Sequence, residues 1–156
     1  MGYKSAKSQS SIELLITLSF GLLILLPIIT FAFLQISTSN STLSTTAAQQ
    51  VANKISSTSS IVGSQGPPAR QIISIQIPPN VNAIYIGNIN NGIGKEIIFN
   101  ISTNAGPSFV IAYTLLNVSG NLTSEAAEAT YLINVSAMAN CPTNPSVPCV
   151  YISRYK

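Results

Sequence analysis

Hydrophobic residues are arranged along this chain in three successive patterns. From Leu14 to Ile36 there are 23 consecutive uncharged residues, LLITLSFGLLILLPIITFAFLQI, of which 17 are apolar before Gly21 is counted. A bilayer core is crossed by roughly 20 such residues at 1.5 Å rise each, so the stretch predicts a membrane-spanning helix. A secretory signal peptide would show an apolar region of about 7–15 residues closed by a small-x-small cleavage site. This run is longer, and no A-x-A follows it. Pro27 predicts a kink in the helix and not its end, because neighbouring groups can re-satisfy the freed carbonyl.

After Ile36 the composition turns to STSNSTLSTTAAQQVANKISSTSSIV, in which Leu43, Ala47, Ala48, Val51, Ile55 and Val62 recur at helical spacing. That stripe extends the helix to about residue 60, a length of about 75 Å counted from Ser10. The alternative is a flexible Ser/Thr-rich stalk. Ser and Thr are weak helix formers, so packing has to hold such a helix. Gly63-Ser64-Gln65-Gly66-Pro67-Pro68-Ala69 ends it.

The third pattern is a series of β-branched and aromatic runs at 71–77, 83–89, 95–101, 108–116, 130–136 and 149–153. Pro78-Pro79-Asn80 predicts a turn, and Asn90-Asn91-Gly92 predicts a hairpin joining the second and third runs. Ser124 to Ala129 (SEAAEA) predicts a short helical turn. A helix followed by strands predicts an α+β fold with an antiparallel sheet, one face of which packs on the helix beyond the membrane.

Composition sharpens this picture. Only 7% of the 156 residues are charged, where soluble domains carry roughly 25%. There is no His, Asp or Trp, and 22 Ser, 12 Thr and 14 Asn supply the polarity instead. Without His or Asp the chain cannot build a Ser-His-Asp or Cys-His unit, an aspartic dyad or a His-containing zinc site. Glu96, Glu125 and Glu128 are the carboxylates of the strand-rich part, and their spacing suggests no acid/base pair. The expectation is a protein that is not an enzyme and has no cofactor or metal. The basic residues Lys4, Lys7, Lys54, Arg70, Lys95, Arg154 and Lys156 are scattered singly, so no stripe exists for a nucleic-acid backbone to follow.

Lys4 and Lys7 precede the apolar run and the next basic residue is Lys54, which predicts a cytoplasmic N-terminus and an exterior C-terminus. Glu13 stands at the edge of the run, where a carboxylate costs a few kcal/mol unless it stays at headgroup level or finds a partner. The stretch Lys7-Ser8-Gln9-Ser10-Ser11-Ile12-Glu13-Leu14-Leu15 resembles the class III signal peptide of archaeal type IV pilin-like proteins: a short basic leader, then Gln-x-Ser-x-Glu, then the hydrophobic helix. In that family a membrane-embedded prepilin peptidase cuts immediately before the Gln. The resemblance places the cut between Ser8 and Gln9, with Ser8 where Gly is more usual, and puts Glu13 at the fifth mature position. It further implies a polymerising ATPase, a membrane platform protein and assembly into an extracellular filament. It covers roughly residues 4–36. Physically, cleavage would create an α-amine, cationic near neutral pH, that could neutralise Glu13 of a neighbouring copy and set axial register.

The expected organisation is a leader at 1–8, a long helix at 9–62 with a spanning segment at 14–36, a linker at 63–70 and an extracellular β-rich head at 71–156. Removing the leader takes Lys4 and Lys7 from the seven basic residues and leaves five against four glutamates, a nearly neutral chain. Outside the cell Cys141 and Cys149 are expected to form a disulfide, worth roughly 2.5 kcal/mol on loop entropy; the alternative is two buried thiols. Asn-x-Ser/Thr sequons occur at Asn40, Asn100, Asn117, Asn121 and Asn134. Asn117 and Asn121 look best exposed, because VSGN between them reads as a turn. The functional expectation is a filament subunit, possible alternatives being a single-pass surface binding protein and a minor or priming subunit of another filament.

Overall fold

The computed structural model describes residues 3–90 and 92–155, with side chains from Ser11 onward. The chain has an α+β fold: helix α1 (Tyr3–Gln65), then a six-stranded, mostly antiparallel sheet. It divides into two compact units, Met1–Asn40 and Ser41–Lys156.

In the first unit α1 is uncharged and exposed on all sides over 14–36. An 18-residue window reaches a mean hydropathy of 2.6 with none of it buried, which is compatible with a membrane anchor. Its three threonine hydroxyls are satisfied within the helix. Thr17 Oγ1 donates to the Glu13 carbonyl at 3.0 Å, Thr30 to Leu26 at 2.8 Å and Thr38 to Leu34 at 3.0 Å. A hydroxyl bonded back one turn brings no free donor into an apolar environment. Pro27 lies inside α1, and the helix continues past it.

In the second unit the rest of α1 packs on the sheet. Its buried face is Ser44, Ala48, Val51, Ala52, Ile55, Thr58, Ser59 and Val62. The predicted stripe is present with two corrections. Leu43 is 67% exposed and Ala47 half-buried, while Ser44, Thr58 and Ser59 occupy buried positions. Leu43 is one residue, about 100°, off the buried line, and small hydroxyl residues on that line let the helix approach closely. Thr58 Oγ1 donates to the Lys54 carbonyl at 2.8 Å, and this keeps its burial inexpensive. The helix also runs to Gln65, so the first three residues of the expected 63–70 linker form its last turn. Gly66 then leaves it at φ 71°, with its N–H donating to the Gly63 carbonyl at 3.2 Å.

The strands are β1 (Arg70–Gln76), β2 (Val81–Gly87), β3 (Gly94–Thr103), β4 (Gly106–Asn121), β5 (Thr130–Met138) and β6 (Cys149–Arg154). All six predicted runs are strands. Asn80 takes φ 66° in the turn before β2, and β2 pairs antiparallel with β3 as the hairpin reading expects. Asn91 of that turn lies outside the described residues. Asn88 closes the loop, its Oδ1 accepting the N–H groups of Asn90 and Gly92 at 2.9 Å each. SEAAEA is helical only as far as a single 3-10 turn at Thr123–Glu125.

Sheet order is β1-β5-β6-β4-β3-β2, with β4 and β6 parallel and the other pairs antiparallel. The long β4 pairs with two different neighbours. Its first part pairs with β3 from Gly106 to Tyr113, and its end, Val118–Asn121, pairs with β6. Between them the register against β3 jumps from Tyr113↔Glu96 to Val118↔Gly94, so Thr114–Asn117 bulge out of the ladder. Ile73, Ile75, Ile84, Ile86, Ile97, Phe99, Ile133, Val135 and Ile152 form the core face against Ile55 and its neighbours. Polar bonds tie the helix across this face. Lys54 Nζ donates to the Ser74 carbonyl on β1 at 2.8 Å, and Ser56 Oγ to the Tyr113 carbonyl on β4 at 2.6 Å.

Gly63 marks a close approach of helix to sheet. A Cβ there would stand 2.2 Å from Leu116 Cδ1 and 2.8 Å from Val150 Cγ2. Gly63→Ala is expected to destabilise the second unit by about 1–3 kcal/mol through overpacking, despite the better helix propensity of Ala. Denaturant titration of the detergent-solubilised chain checks this; unchanged stability would mean that Leu116 yields freely.

Candidate functional site

The candidate site at the N-terminal end is the leader motif with the apolar helix behind it. The positions Lys7, Ser8 and Gln9 lie outside the residues whose side chains are described. Ser11 and Glu13 are exposed on α1, and the apolar surface begins beside them. Ile12, Leu15, Ile16, Ser19, Phe20 and Leu23 line a shallow groove along the helix. Over 14–36 no side chain of this helix carries charge. Such a surface is suited to lipid or to other apolar helices, two surroundings of similar polarity.

In the second unit a glutamate is buried beside an arginine. Glu125 is buried at 3% exposure, accepts the Ser124 hydroxyl at 2.6 Å and faces Arg154 Nη1 at 3.5 Å. The Arg154 guanidinium also lies 5.5 Å from the Tyr131 ring centroid. The pair thereby pins the β4–β5 connection to the end of β6. Glu96 is half-buried on β3 opposite Tyr113, and Glu128 is exposed. Among the described residues no three His, Cys, Asp or Glu side chains gather as a metal site would require.

Cys141 and Cys149 are joined, with Cα atoms 5.4 Å apart. The bond closes the loop between β5 and β6. Thr143 within it contacts Cys141 Sγ at 3.4 Å and Ser119 Oγ at 3.0 Å.

The five sequons fall in different surroundings. Asn40 is exposed on α1, and Asn121 is exposed at the end of β4. Asn100 on β3 and Asn134 on β5 are half-buried, each with a buried Oδ1 lacking a hydrogen-bond partner. Asn117 is half-buried in the β4 bulge. The exposed turn expected over VSGN is absent. Val118, Ser119 and Gly120 are buried in β4 and pair with Val150, Tyr151 and Ile152 of β6. Gly120 serves that close pairing, since a Cβ there would meet the Ile152 carbonyl oxygen at 2.1 Å.

The sheet face away from α1 carries exposed apolar side chains. Paired residues share a face, so Tyr85, Ile98 and Ile111 form one row, Asn100 and Phe109 the next, and Glu96 and Tyr113 a third. Phe109 is 52% exposed, Tyr113 69% and, in the bulge, Leu115 82%. The sequence signal was SFVIAYTLL itself, apolar on both alternating faces, as in strands covered on two sides. The Glu125–Arg154 pair left no comparable trace, because its partners are far apart in the chain.

Compared with known protein families, curated proteins and solved structures, the chain matched none.

Arg154→Ala should leave the Glu125 carboxylate buried with the Ser124 hydroxyl as its one short contact, costing about 1–3 kcal/mol. Adding Glu125→Gln should recover part of that loss. If the double variant is no more stable than Arg154→Ala in chemical denaturation, the buried charge is not what the arginine serves.

Proposed function

We propose that this chain is a pilin-like structural subunit, processed after Ser8, held in the membrane by its N-terminal helix before assembly, and then packed through that helix into an extracellular filament. The observation that carries the reading is the helix of the first unit, uncharged over 14–36 and unburied on every side, with Glu13 at its start. A helix of this kind needs an apolar partner, and lipid and neighbouring helices both qualify. The leader motif Lys7, Gln9, Ser11, Glu13 supports a prepilin peptidase, an assembly ATPase and a membrane platform as partners. The nearly neutral Ser/Thr/Asn surface supports repetition, because identical subunits placed side by side repel little. The disulfide supports an oxidising location for the β-rich part. In this reading the protein has no catalytic role.

The exposed side chains of Phe109, Tyr113 and Leu115 on β4 favour a second reading, a membrane-anchored surface protein whose β-rich part holds a partner. A minor or priming subunit of another filament would share all these features. Electron microscopy of sheared cell-surface material separates the anchored surface protein from the filament readings, since only a filament subunit, major or minor, is recovered in a polymer.

N-terminal sequencing of the native protein is expected to start at Gln9, and an intact Met1 terminus would remove the processing step. Glu13→Gln and Glu13→Ala are expected to lower filament yield while leaving membrane insertion intact, measured by shearing yield against total membrane-bound chain. Unchanged yield would refute the role of Glu13 in register.

A further inference from the structure

The five sequons share a motif but not a geometry, and the geometry points to Asn121 as the site of N-linked glycan attachment. The inference rests on the export contained in the proposed function. Asn121 is exposed, and its Oδ1 accepts two hydrogen bonds from the residue two places on: the Thr123 backbone N–H at 3.1 Å and the Thr123 hydroxyl at 2.5 Å. Thr123, also exposed, opens the 3-10 turn that follows β4. The motif's hydroxyl is thus already on the acceptor carboxamide.

That contact matters chemically. A carboxamide nitrogen is a weak nucleophile because its lone pair is delocalised into the carbonyl. Two donors on Oδ1 stabilise the negative charge that collects on the oxygen as Nδ2 gives up a proton, by the rule that hydrogen bonds to a charged form favour it. In the transfer, Nδ2 attacks the anomeric carbon of a lipid-phosphate-linked oligosaccharide. The new C–N bond forms as the C–O bond to phosphate breaks. The lipid phosphate leaves with the electron pair, and the Nδ2 proton passes to a base of the transferase.

None of the other four sequons has this arrangement. Asn40 lies in α1, where residues two apart are separated by about 200° around the axis and do not face each other. Asn100 with Ser102 and Asn134 with Ser136 lie in strands, where residues two apart share a face but stand roughly 6.6 Å apart, and both carboxamide oxygens are buried. At Asn117 the hydroxyl belongs to Ser119, which is fully buried and bonded to Thr143 at 3.0 Å.

Site-resolved mass spectrometry of the full chain from its native cells tests the inference. Occupancy at Asn121 is expected to exceed that at each of the other four several-fold. Asn121→Gln should remove one glycan mass and leave the other sites as they were. Thr123→Ser, which keeps the hydroxyl, should retain most of the modification. Ser102→Thr, at an exposed position, improves the motif at Asn100 without supplying the turn and should leave that site low. Equal occupancy across the sequons, a preference for Asn117, or a bare Asn121 overturns the inference. Protease accessibility of the β-rich part in intact cells, measured alongside, tells whether export fails with it: an accessible part with a bare Asn121 refutes the site and leaves the proposed function standing.

Discussion

The fold depends on the contact between the second part of α1 and the isoleucine face of the sheet. Each covers the apolar face of the other. The helix is built from Ser, Thr, Asn and Gln around a thin line of Ala, Val and Ile, a composition with little helical tendency of its own. The sheet would expose Ile73, Ile75, Ile84, Ile86, Ile97 and Phe99 to water without that helix. Burial of apolar surface at roughly 25 cal/mol per Å² is the main term holding them together. With so few charged residues, ion pairing cannot substitute for it. Small residues set the distance of approach: Ala48, Ala52 and Gly63 bring the helix backbone near the sheet, and the β4 bulge places Leu116 against Gly63.

The scarcity of charge shapes the remaining surfaces. Between Leu14 and Gln65 the helix has one ionisable side chain, Lys54, and its ammonium is turned onto the Ser74 carbonyl of β1. Since β1 is an edge strand, that bond occupies one of the backbone acceptors through which an edge could recruit another strand. The outward side of the helix is left to hydroxyl, amide and apolar groups, and these can meet another uncharged surface without desolvating an ion. Hydroxyls bonded back to the preceding turn extend the same economy into the apolar part. A subunit that passes from lipid into a packed polymer, as proposed, has use for both properties.

Much of this was legible in the amino-acid order because it rests on local periodicity. An uninterrupted apolar run, a helical stripe, six β-branched runs and turns at Pro78-Pro79-Asn80 and around Asn90 each depend on neighbours within a few residues. The errors have the same origin. Leu43 was assigned to the buried stripe by its hydrophobicity, yet Ser44 and Ser59 are the buried residues, since helix phase outweighs side-chain polarity where backbones come close. VSGN has the composition of a turn, but β6 arrives beside it and converts it into paired strand. SEAAEA, rich in helix formers, yields to the short connection that crosses the end of β6, where only one 3-10 turn fits.

Sequence alone therefore determined the fold class, the apolar helix and its Glu13 boundary and the positions of the strands, because periodicity and charge encode them directly. Only the tertiary structure decided the strand order with its parallel β4–β6 pair, the joining of Cys141 to Cys149, the burial of Glu125 against Arg154, the exposure of Phe109 and Tyr113, and the distinction of Asn121 from the four other sequons. Each of these depends on contacts between residues distant in the chain, or on a local turn imposed by such contacts. Beyond a tight hairpin such as β2–β3, a linear pattern carries no measure of which strand lies beside which.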